Sequence, residues 1–217
     1  MNIEITNVSK IIRSQPVIQD VCVSMQSGKI YGFQGINGSG KTMLMQLVSG
    51  LIHPTQGSIQ IDGKLLGKDI TFPDSIGLFL ESPAFLESYS GFQNLKMLAS
   101  IQNKINDERI RNTLIAVGLD PDDKKKYRKY SLGMKQRLGI AAAILEEPDI
   151  VIMDEPTNSL DTDGVALVKM ILTAQRERGA LVIISCHDLS ILQEMSDEIL
   201  LLESGRVKKH LFAPDFA

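Results

Sequence analysis

The sequence contains no tryptophan and only two cysteines, and aromatic residues make up 5% of its 217 positions. Cys22 and Cys186 lie far apart in strand-like apolar segments, which argues against a disulfide framework and predicts two small core residues in a reducing compartment. Net charge is also small, since 23 Lys and Arg nearly balance 26 Asp and Glu. A charge of this size creates no field that would recruit a polyanion, so we expect no nucleic-acid partner.

Long apolar runs are missing as well. The longest uninterrupted one covers residues 138–145 and is bounded by Arg137 and Glu146, whereas a membrane helix needs about 20 apolar residues. Residues 1–10 alternate apolar and polar side chains and show no basic-then-apolar export signal. We therefore expect a chain that does not cross a bilayer and resides in the cytosol.

Apolar periodicity divides the chain into three parts. The first indicates strands at 3–8, 17–25, 30–34 and 58–62, a helix over 41–50 and a turn at Asp62–Gly63. The second predicts helices over 92–102, 107–117 and 133–145. The third indicates a strand at 150–153, a helix over about 163–178, a strand at 181–185 and a hairpin over 198–209. Strand, helix and strand in this order predict a parallel sheet covered by helices.

One loop carries a phosphate-binding pattern between a predicted strand and a predicted helix. It consists of Gly35, Ile36, Asn37, Gly38, Ser39, Gly40, Lys41 and Thr42. Glycines allow the backbone to turn successive N–H groups toward one phosphate, and the following helix adds the positive end of its dipole. Lys41 then supplies a charge for the β- and γ-phosphates, and Thr42 a hydroxyl for Mg²⁺.

A second motif supplies acidic groups. The apolar strand at 150–153 leads directly into Asp154 and Glu155. Ligands of parallel sheets bind at the carboxyl ends of strands, so Asp154 is a candidate Mg²⁺ ligand. Glu155, one residue further on, is the candidate general base for an attacking water.

Residues 130–137 read Tyr-Ser-Leu-Gly-Met-Lys-Gln-Arg at a predicted helix start. This stretch resembles the Leu-Ser-Gly-Gly-Gln signature of nucleotide-binding subunits of ATP-binding cassette (ABC) transporters, and the resemblance spans almost the whole chain in the same motif order. It implies that Ser131 and the backbone of Gly133 bind the γ-phosphate of ATP held by the other subunit of a head-to-tail dimer. A polar cap at a helix N-terminus suits an anion.

Two further stretches match the family. Residues 158–161 follow Glu155 as the family's dimer-contact loop does, which implies dimer contacts through Ser159 and Asp161. His187 follows the predicted strand at 181–185 and matches the histidine that contacts the γ-phosphate in the family.

The resemblance implies an α/β fold with a P-loop NTPase core built on a parallel sheet, an N-terminal antiparallel β subdomain and an inserted helical subdomain. Residues 1–217 would form one ATPase domain, with the core at about 1–84 and 146–217 and the helices at about 85–145. Implied cofactors are ATP and Mg²⁺. Implied partners are a separate transmembrane permease and a second cassette, identical or different, at the inner face of the cell membrane.

The expected function is therefore ATP hydrolysis that powers transport, with export favoured because the segment around Glu81 resembles cassettes of drug- or peptide-resistance exporters. The alternatives are a non-transport ABC ATPase and a nonhydrolysing regulatory cassette.

The chain departs from the family pattern at three places. Ile12 stands where the family places an aromatic ring against adenine, so it offers apolar contact without stacking. Glu81 stands where the family has the glutamine that reaches Mg²⁺, and we expect this carboxylate to coordinate the metal. Leu132 and Met134 replace glycine and glutamine of the signature.

The sequence leaves two interpretations open for each of two surfaces. The basic run at 124–130 is either a solvated face or a site for an anionic partner, and the neighbouring acidic residues favour the solvated face. The apolar residues near Glu81, including Phe79, Phe85 and Tyr89, either dock the membrane partner or form a core between the two lobes.

Overall fold

The computed structural model describes residues 1–80 and 84–213. Its first sheet contains β1 (Asn2–Ile12), β2 (Gln15–Gln26), β4 (Gln56–Ile61) and β5 (Lys64–Leu65), with the order β2-β1-β4-β5 and antiparallel pairing throughout. Asp62 and Gly63, between β4 and β5, both have positive φ, at 48° and 77°. This is the turn geometry that the Asp-Gly pair predicts.

The second sheet contains β3 (Ile30–Gln34), β6 (Ile76–Phe79), β7 (Ile150–Met153), β8 (Leu181–Cys186), β9 (Glu198–Glu203) and β10 (Arg206–Phe212). The strand order is β10-β9-β3-β8-β7-β6. All neighbours from β9 to β6 pair in parallel, and β10 forms an antiparallel hairpin with β9 around Ser204 and Gly205. Because strands of a parallel sheet end on the same side, β3, β7 and β8 deliver their following residues to one edge.

The helices are α1 (Lys41–Val48), α2 (Gly91–Gln102), α3 (Asp107–Ala116), α4 (Leu132–Ile144), α5 (Thr162–Glu177) and α6 (Leu189–Met195). The helices α2 to α4 lie between β6 and β7 in the chain, as the helical middle part of the sequence predicts. The short helix α6 was not predicted. Its N-terminus is capped by Asp188, whose carboxylate accepts the N–H groups of Ser190 and Ile191.

The parallel sheet has a core on each face. In β7, Ile150 and Ile152 pack in the core that also contains α1 and the antiparallel sheet. Val151 and Met153 point to the opposite face and pack with apolar residues of α2 to α5. Both faces are covered, which explains why β7 is a continuous apolar run and why every residue of β8 is buried.

The contact between α4 and β6 is close at one point. A Cβ added at Gly77 would lie 1.8 Å from the carbonyl oxygen of Ala143, so only glycine allows this approach. The helices following β6 are thereby held directly against the parallel sheet.

The expected α/β class, with a parallel core, an antiparallel N-terminal sheet and inserted helices, is confirmed by this architecture. The expectation for the cysteines is half wrong. Cys186 is buried, but Cys22 lies on the solvent face of β2, between the buried residues Val21 and Val23. Successive side chains of a strand point to opposite faces, and the Cys22 side chain points to the solvent face.

Candidate functional site

The loop between β3 and α1 has the backbone geometry that the phosphate-binding pattern requires. Gly38 and Gly40 have left-handed φ angles of 78° and 109°. Gly40 immediately precedes α1, and no side chain caps this helix end. A Cβ at Gly35 would lie 2.4 Å from the carbonyl oxygen of Leu202. The glycines are therefore needed for the loop's path, and the start of α1 retains donors for an anion.

The β9–β10 hairpin braces this loop from the outside. The N–H of Gly205 donates to the carbonyl oxygen of Ser39 at 2.9 Å, and Gln19 N–H donates to Gly205 O at 2.8 Å. The turn of the hairpin thus ties the phosphate loop to β2. A loop held in this way does not have to reorganise when a phosphate binds.

Lys41 is almost fully buried, with 6% of its side chain exposed, and its ammonium group faces the loop. Nζ donates to the carbonyl oxygens of Gly35 at 2.7 Å and of Ile36 at 3.4 Å. It also lies 3.7 Å from Oε1 of Glu155. A buried cation is stable only with such partners, and the same ammonium is available to phosphate oxygens in the loop.

Asp154 lies at the carboxyl end of β7 and contacts residues from two neighbouring elements. Its carboxylate accepts hydrogen bonds from the hydroxyl groups of Thr42, on α1, and of Ser185, on β8. Two hydroxyl donors orient both carboxylate oxygens. Thr42 and Asp154, the two predicted metal ligands within the described residues, are therefore in direct contact.

Glu155 lies beside this pair in the same cavity. Its Oε1 is 3.1 Å from Nδ1 of His187 and 3.7 Å from Nζ of Lys41, yet neither carboxylate oxygen has a hydrogen-bond partner among the described residues. Burial raises the pKa of the Glu155 carboxyl above its usual range, although His187 and Lys41 act in the opposite direction. A buried carboxylate with a raised pKa and no hydrogen-bond donor bound to it is suited to accept a proton from water.

These residues line one cavity of about 480 Å³. The lining comprises Val17, Asn37, Gly38, Ser39, Gly40, Lys41, Thr42, Met43, Asp154, Glu155, Asn158 and His187. A second, adjoining pocket is lined by Gln34, Gly35, Ile36, Asn37 and His187. The structure thus brings together the phosphate loop, both acidic residues and the histidine, which were predicted from separate parts of the sequence.

The chemistry of the cavity fits a nucleotide phosphate with Mg²⁺. The Ser39 hydroxyl and both Glu155 oxygens are buried without hydrogen-bond partners in the described structure, which is costly unless a ligand or water satisfies them. Residues 1–80 and 84–213 contain no group of three His, Cys, Asp or Glu side chains that would bind a metal alone. Mg²⁺ is usually held by one or two protein side chains together with phosphate oxygens and water, and Thr42 and Asp154 fit that role.

The predicted signature residues lie outside this cavity. Ser131 is exposed and caps α4, its hydroxyl accepting the N–H of Met134 at 3.2 Å. Gly133 is half-buried beside Ser159 and Leu160 of the same chain. Neither residue lines the pocket of the described phosphate loop, as a role toward a second subunit requires.

The remaining predicted residues lie outside the phosphate cavity or outside the described residues. Ser159 is exposed with a left-handed φ of 63°, and Asp161 caps α5 by accepting the N–H of Gly164. Ile12, at the end of β1, is 38% exposed and does not line the described cavity. Glu81 lies outside the described residues, so its proposed metal contact stays a prediction.

Four residues of the site were not singled out as functional from the sequence. Val17, near the start of β2, and Met43, on α1, line the cavity, Ser185 contacts Asp154, and Gln136 donates to the backbone carbonyl of Glu155. Ser185 was detectable, since it is the one polar residue of the otherwise apolar strand β8 and lies two residues before His187. Val17 has no such signal. Gln136 belongs to the signature stretch, but its contact with Glu155 depends on how α4 packs against the loop after β7.

Comparison with known proteins places this geometry in a family. The model of the ABC transporter family matches residues 18–158, which include the phosphate loop, the signature stretch and both acidic residues. The chain belongs to the ABC transporter family of ATP-binding proteins. As a member of this family it is a nucleotide-binding cassette, and the resemblance inferred from the sequence motifs is confirmed.

Relatives of the cassette cover almost its full length. An uncharacterized ABC transporter ATP-binding protein of Bacillus subtilis, YybJ, is 45% identical over 206 residues, with 95% of this chain and 94% of the relative covered. The bacitracin transport ATP-binding protein BcrA of Enterococcus faecalis is 36% identical over 207 residues, covering 94% of this chain and 67% of that protein. The solved dimeric structure of a bacterial ABC transporter cassette superposes with a TM-score of 0.88 at 22% identity and covers 97% of this chain and 98% of that one.

At that identity the superposition shows the fold of the cassette. No helix within the described ranges of this cassette has the length and apolar character needed to span a bilayer.

Proposed function

We propose that this cassette hydrolyses ATP at the cavity around Lys41 and Glu155 and thereby powers transport, with export as the direction. The observation that carries this proposal is the Glu155 carboxylate, buried without a hydrogen-bond partner in the described structure and placed between Lys41 and His187 in the cavity of the phosphate loop. A nonhydrolysing regulatory cassette would not need a buried carboxylate without a hydrogen-bond partner at this position.

In the proposed reaction the loop from Gly35 to Thr42 binds the phosphates through its N–H groups and through Lys41. Glu155 holds the attacking water and takes its proton. His187, with half of its side chain exposed, contacts the γ-phosphate. Mg²⁺, held by Thr42 and Asp154, would neutralise charge on the β- and γ-phosphates. Ser185 keeps Asp154 oriented for that contact.

We further propose that two cassettes complete each other's sites head to tail, through Ser131 and Gly133, with dimer contacts at Ser159 and Asp161. The exposed N-terminus of α4 supports this, since it presents a polar cap that its own phosphate cavity does not use. The solved bacterial cassette that shares the fold is dimeric.

Mixing two inactive variants tests the shared site. Lys41→Met disables the phosphate loop, and Gly133→Asp places a carboxylate where the partner's γ-phosphate would bind. A Cβ at Gly133 meets its nearest atoms at 3.6 Å and 3.7 Å, and an acidic residue is favourable in a first helical turn, so this variant should fold. Each variant alone is expected to be nearly inactive. An equal mixture should recover up to about a quarter of the parental ATPase rate, because half of the dimers then contain one intact site.

Recovery depends on protein concentration if the site is shared, because dimers must form. A mixture that never exceeds the sum of its components would contradict the shared site. In that case each cassette would carry a complete site of its own.

The membrane partner, in this proposal, docks at a groove of about 390 Å³ beside α2. The lining residues are Ala84, Phe85, Leu86, Asn94, Met97, Leu98, Ser100 and Ile101. Ile101 is 78% exposed and Met97 47%, which is unusual for apolar side chains on neighbouring turns. Phe79, by contrast, is buried in the core, and the ring of Phe85 packs against Tyr127 at 5.3 Å. The apolar cluster near Glu81 therefore contributes both to the core and to the exposed groove.

Docking at this groove predicts that Ile101→Glu abolishes transport while leaving the ATPase of the purified cassette within about twofold of the parent. The substitution removes apolar contact area and adds a charge at an exposed position, so it acts on a partner rather than on folding. Transport in cells and ATPase in solution are to be measured together. Ile115→Glu is the matched control, because Ile115 is a comparably exposed isoleucine on α3, 59% accessible and outside the groove. Equal loss of transport in both variants would argue against docking here.

A further inference from the structure

The backbone of Glu155 has an unusual conformation that needs support. Its φ angle is 52°, in the left-handed region that is unfavourable for a non-glycine residue. Both sides of the residue are held. Its N–H donates to the hydroxyl oxygen of Ser185 at 2.8 Å, and its carbonyl oxygen accepts from Gln136 Nε2 at 2.9 Å and from the N–H of Asn158 at 3.1 Å.

The Gln136 contact differs from the other two because it comes from α4. Ser185 is on β8 of the parallel sheet, and Asn158 is three residues along the same loop. Gln136 is in the second turn of α4, the helix that Ser131 caps. The first turn of α4 also lies against this loop, since Gly133 faces the carbonyl oxygen of Ser159 and the side chain of Leu160.

We propose that Gln136 is a positioning residue for Glu155, and that it links the exposed N-terminus of α4 to the proton-accepting carboxylate of the same chain. The inference rests on the proposed function, in which Glu155 is the base and Ser131 faces the ATP of a second copy. A displacement of α4 when the second copy's nucleotide binds would move Gln136, and through the Glu155 carbonyl it would change where the carboxylate lies.

A purely structural role for Gln136 predicts a different result. The Glu155 carbonyl keeps the Asn158 N–H as a donor when Gln136 is lost, so the cost to stability should be small. Glu155 would still lose one of the hydrogen bonds that fix its backbone, and its carboxylate would be less precisely placed. Displacements of about 1 Å in a reacting group can reduce turnover by about 100-fold.

The experiment uses the full chain with Mg²⁺ and ATP. Gln136→Met keeps the length of the side chain and removes the donor. We expect kcat to fall by about 10- to 100-fold with KM for ATP within about twofold and with the thermal unfolding midpoint nearly unchanged. Gln93→Met is the control, because Gln93 is also a glutamine near the N-terminus of a helix, where it caps α2, and has no contact with Glu155. Its kcat should stay near that of the parent.

A double-mutant cycle with Glu155→Gln decides whether Gln136 acts through Glu155. Gln136→Met should have almost no further effect on the single-turnover rate when Glu155 is already replaced, since residues acting as one unit are not additive. Gln136→Glu should be at least as damaging as Gln136→Met at neutral pH, because an ionised carboxylate cannot donate to the carbonyl. It provides the second measurement if Gln136→Met folds poorly.

Two results would overturn the inference. One is a kcat for Gln136→Met equal to that of the parent or of Gln93→Met. The other is that Gln136→Met reduces the single-turnover rate by the same factor in the parent and in Glu155→Gln. The proposed function fails separately, if the parent's ATPase does not depend on Glu155 at all.

Discussion

Replacement of Glu155 by glutamine is expected to reduce steady-state ATPase by about 100- to 1,000-fold while ATP still binds. The amide has almost the same shape as the carboxyl group but cannot accept the proton of the attacking water. Lys41 keeps its hydrogen bond to the Gly35 carbonyl and Thr42 its contact with Asp154, so the phosphate-binding part of the cavity stays intact. Single-turnover hydrolysis and equilibrium binding of ATP, measured on the same preparation, separate the two effects.

Thermal unfolding provides the control for Glu155→Gln. Burial raises the pKa of the Glu155 carboxyl in the folded protein, so the folded state opposes ionisation. Between the unfolded and folded pKa values the folded state binds more protons, and the group's contribution to stability falls as the pH rises through this window. The glutamine variant should therefore unfold at the same or a higher temperature than the parent at pH 8, with the difference shrinking below the unfolded pKa. A lost rate together with lower stability at pH 8 would point to misfolding instead of a missing base.

Sequence patterns were sufficient for the elements whose role is encoded locally. The loop from Gly35 to Thr42 depends on glycine conformations and on the strand and helix that flank it, and β3 has the predicted bounds of residues 30–34. The strand before Asp154 is apolar throughout because both faces of its sheet are covered, so it too was visible in the sequence.

Other features depend on packing between distant segments, and the sequence did not predict them. Gln136 meets Glu155 only because the first turns of α4 lie against the loop after β7, 19 residues away in the chain. Cys22 was assigned to the core because its strand is apolar, yet a one-residue phase decides which face a strand side chain occupies. Val17 reaches the phosphate cavity because β2 and the β9–β10 hairpin meet beside it, a contact between segments nearly 190 residues apart.

Replacement of Lys41 by methionine is expected to weaken ATP binding by roughly 100-fold or more. Each hydrogen bond from the ammonium group to a phosphate oxygen contributes about 1.5–3 kcal/mol, so loss of two such bonds costs about 3 kcal/mol or more. Methionine keeps the length and apolar stem of a side chain that is only 6% exposed, so the cavity should not collapse. Titration with a fluorescent ATP analogue measures the dissociation constant directly.

The matched control is Lys169→Met, which removes an exposed ammonium that pairs with Glu194 at 3.1 Å on the surface of α5. Its affinity for ATP should equal that of the parent. An affinity of Lys41→Met within about threefold of the parent would mean that the buried ammonium serves the Gly35 and Ile36 carbonyls and not the nucleotide. Turnover at saturating ATP should also fall. Lys41 is a cation beside Glu155 and lowers the pKa of its carboxyl, so without Lys41 the effect of burial raises that pKa further. Lys41 lies between the phosphate loop and the base, so Lys41→Met should reduce both ATP binding and turnover. Glu155→Gln should reduce turnover alone.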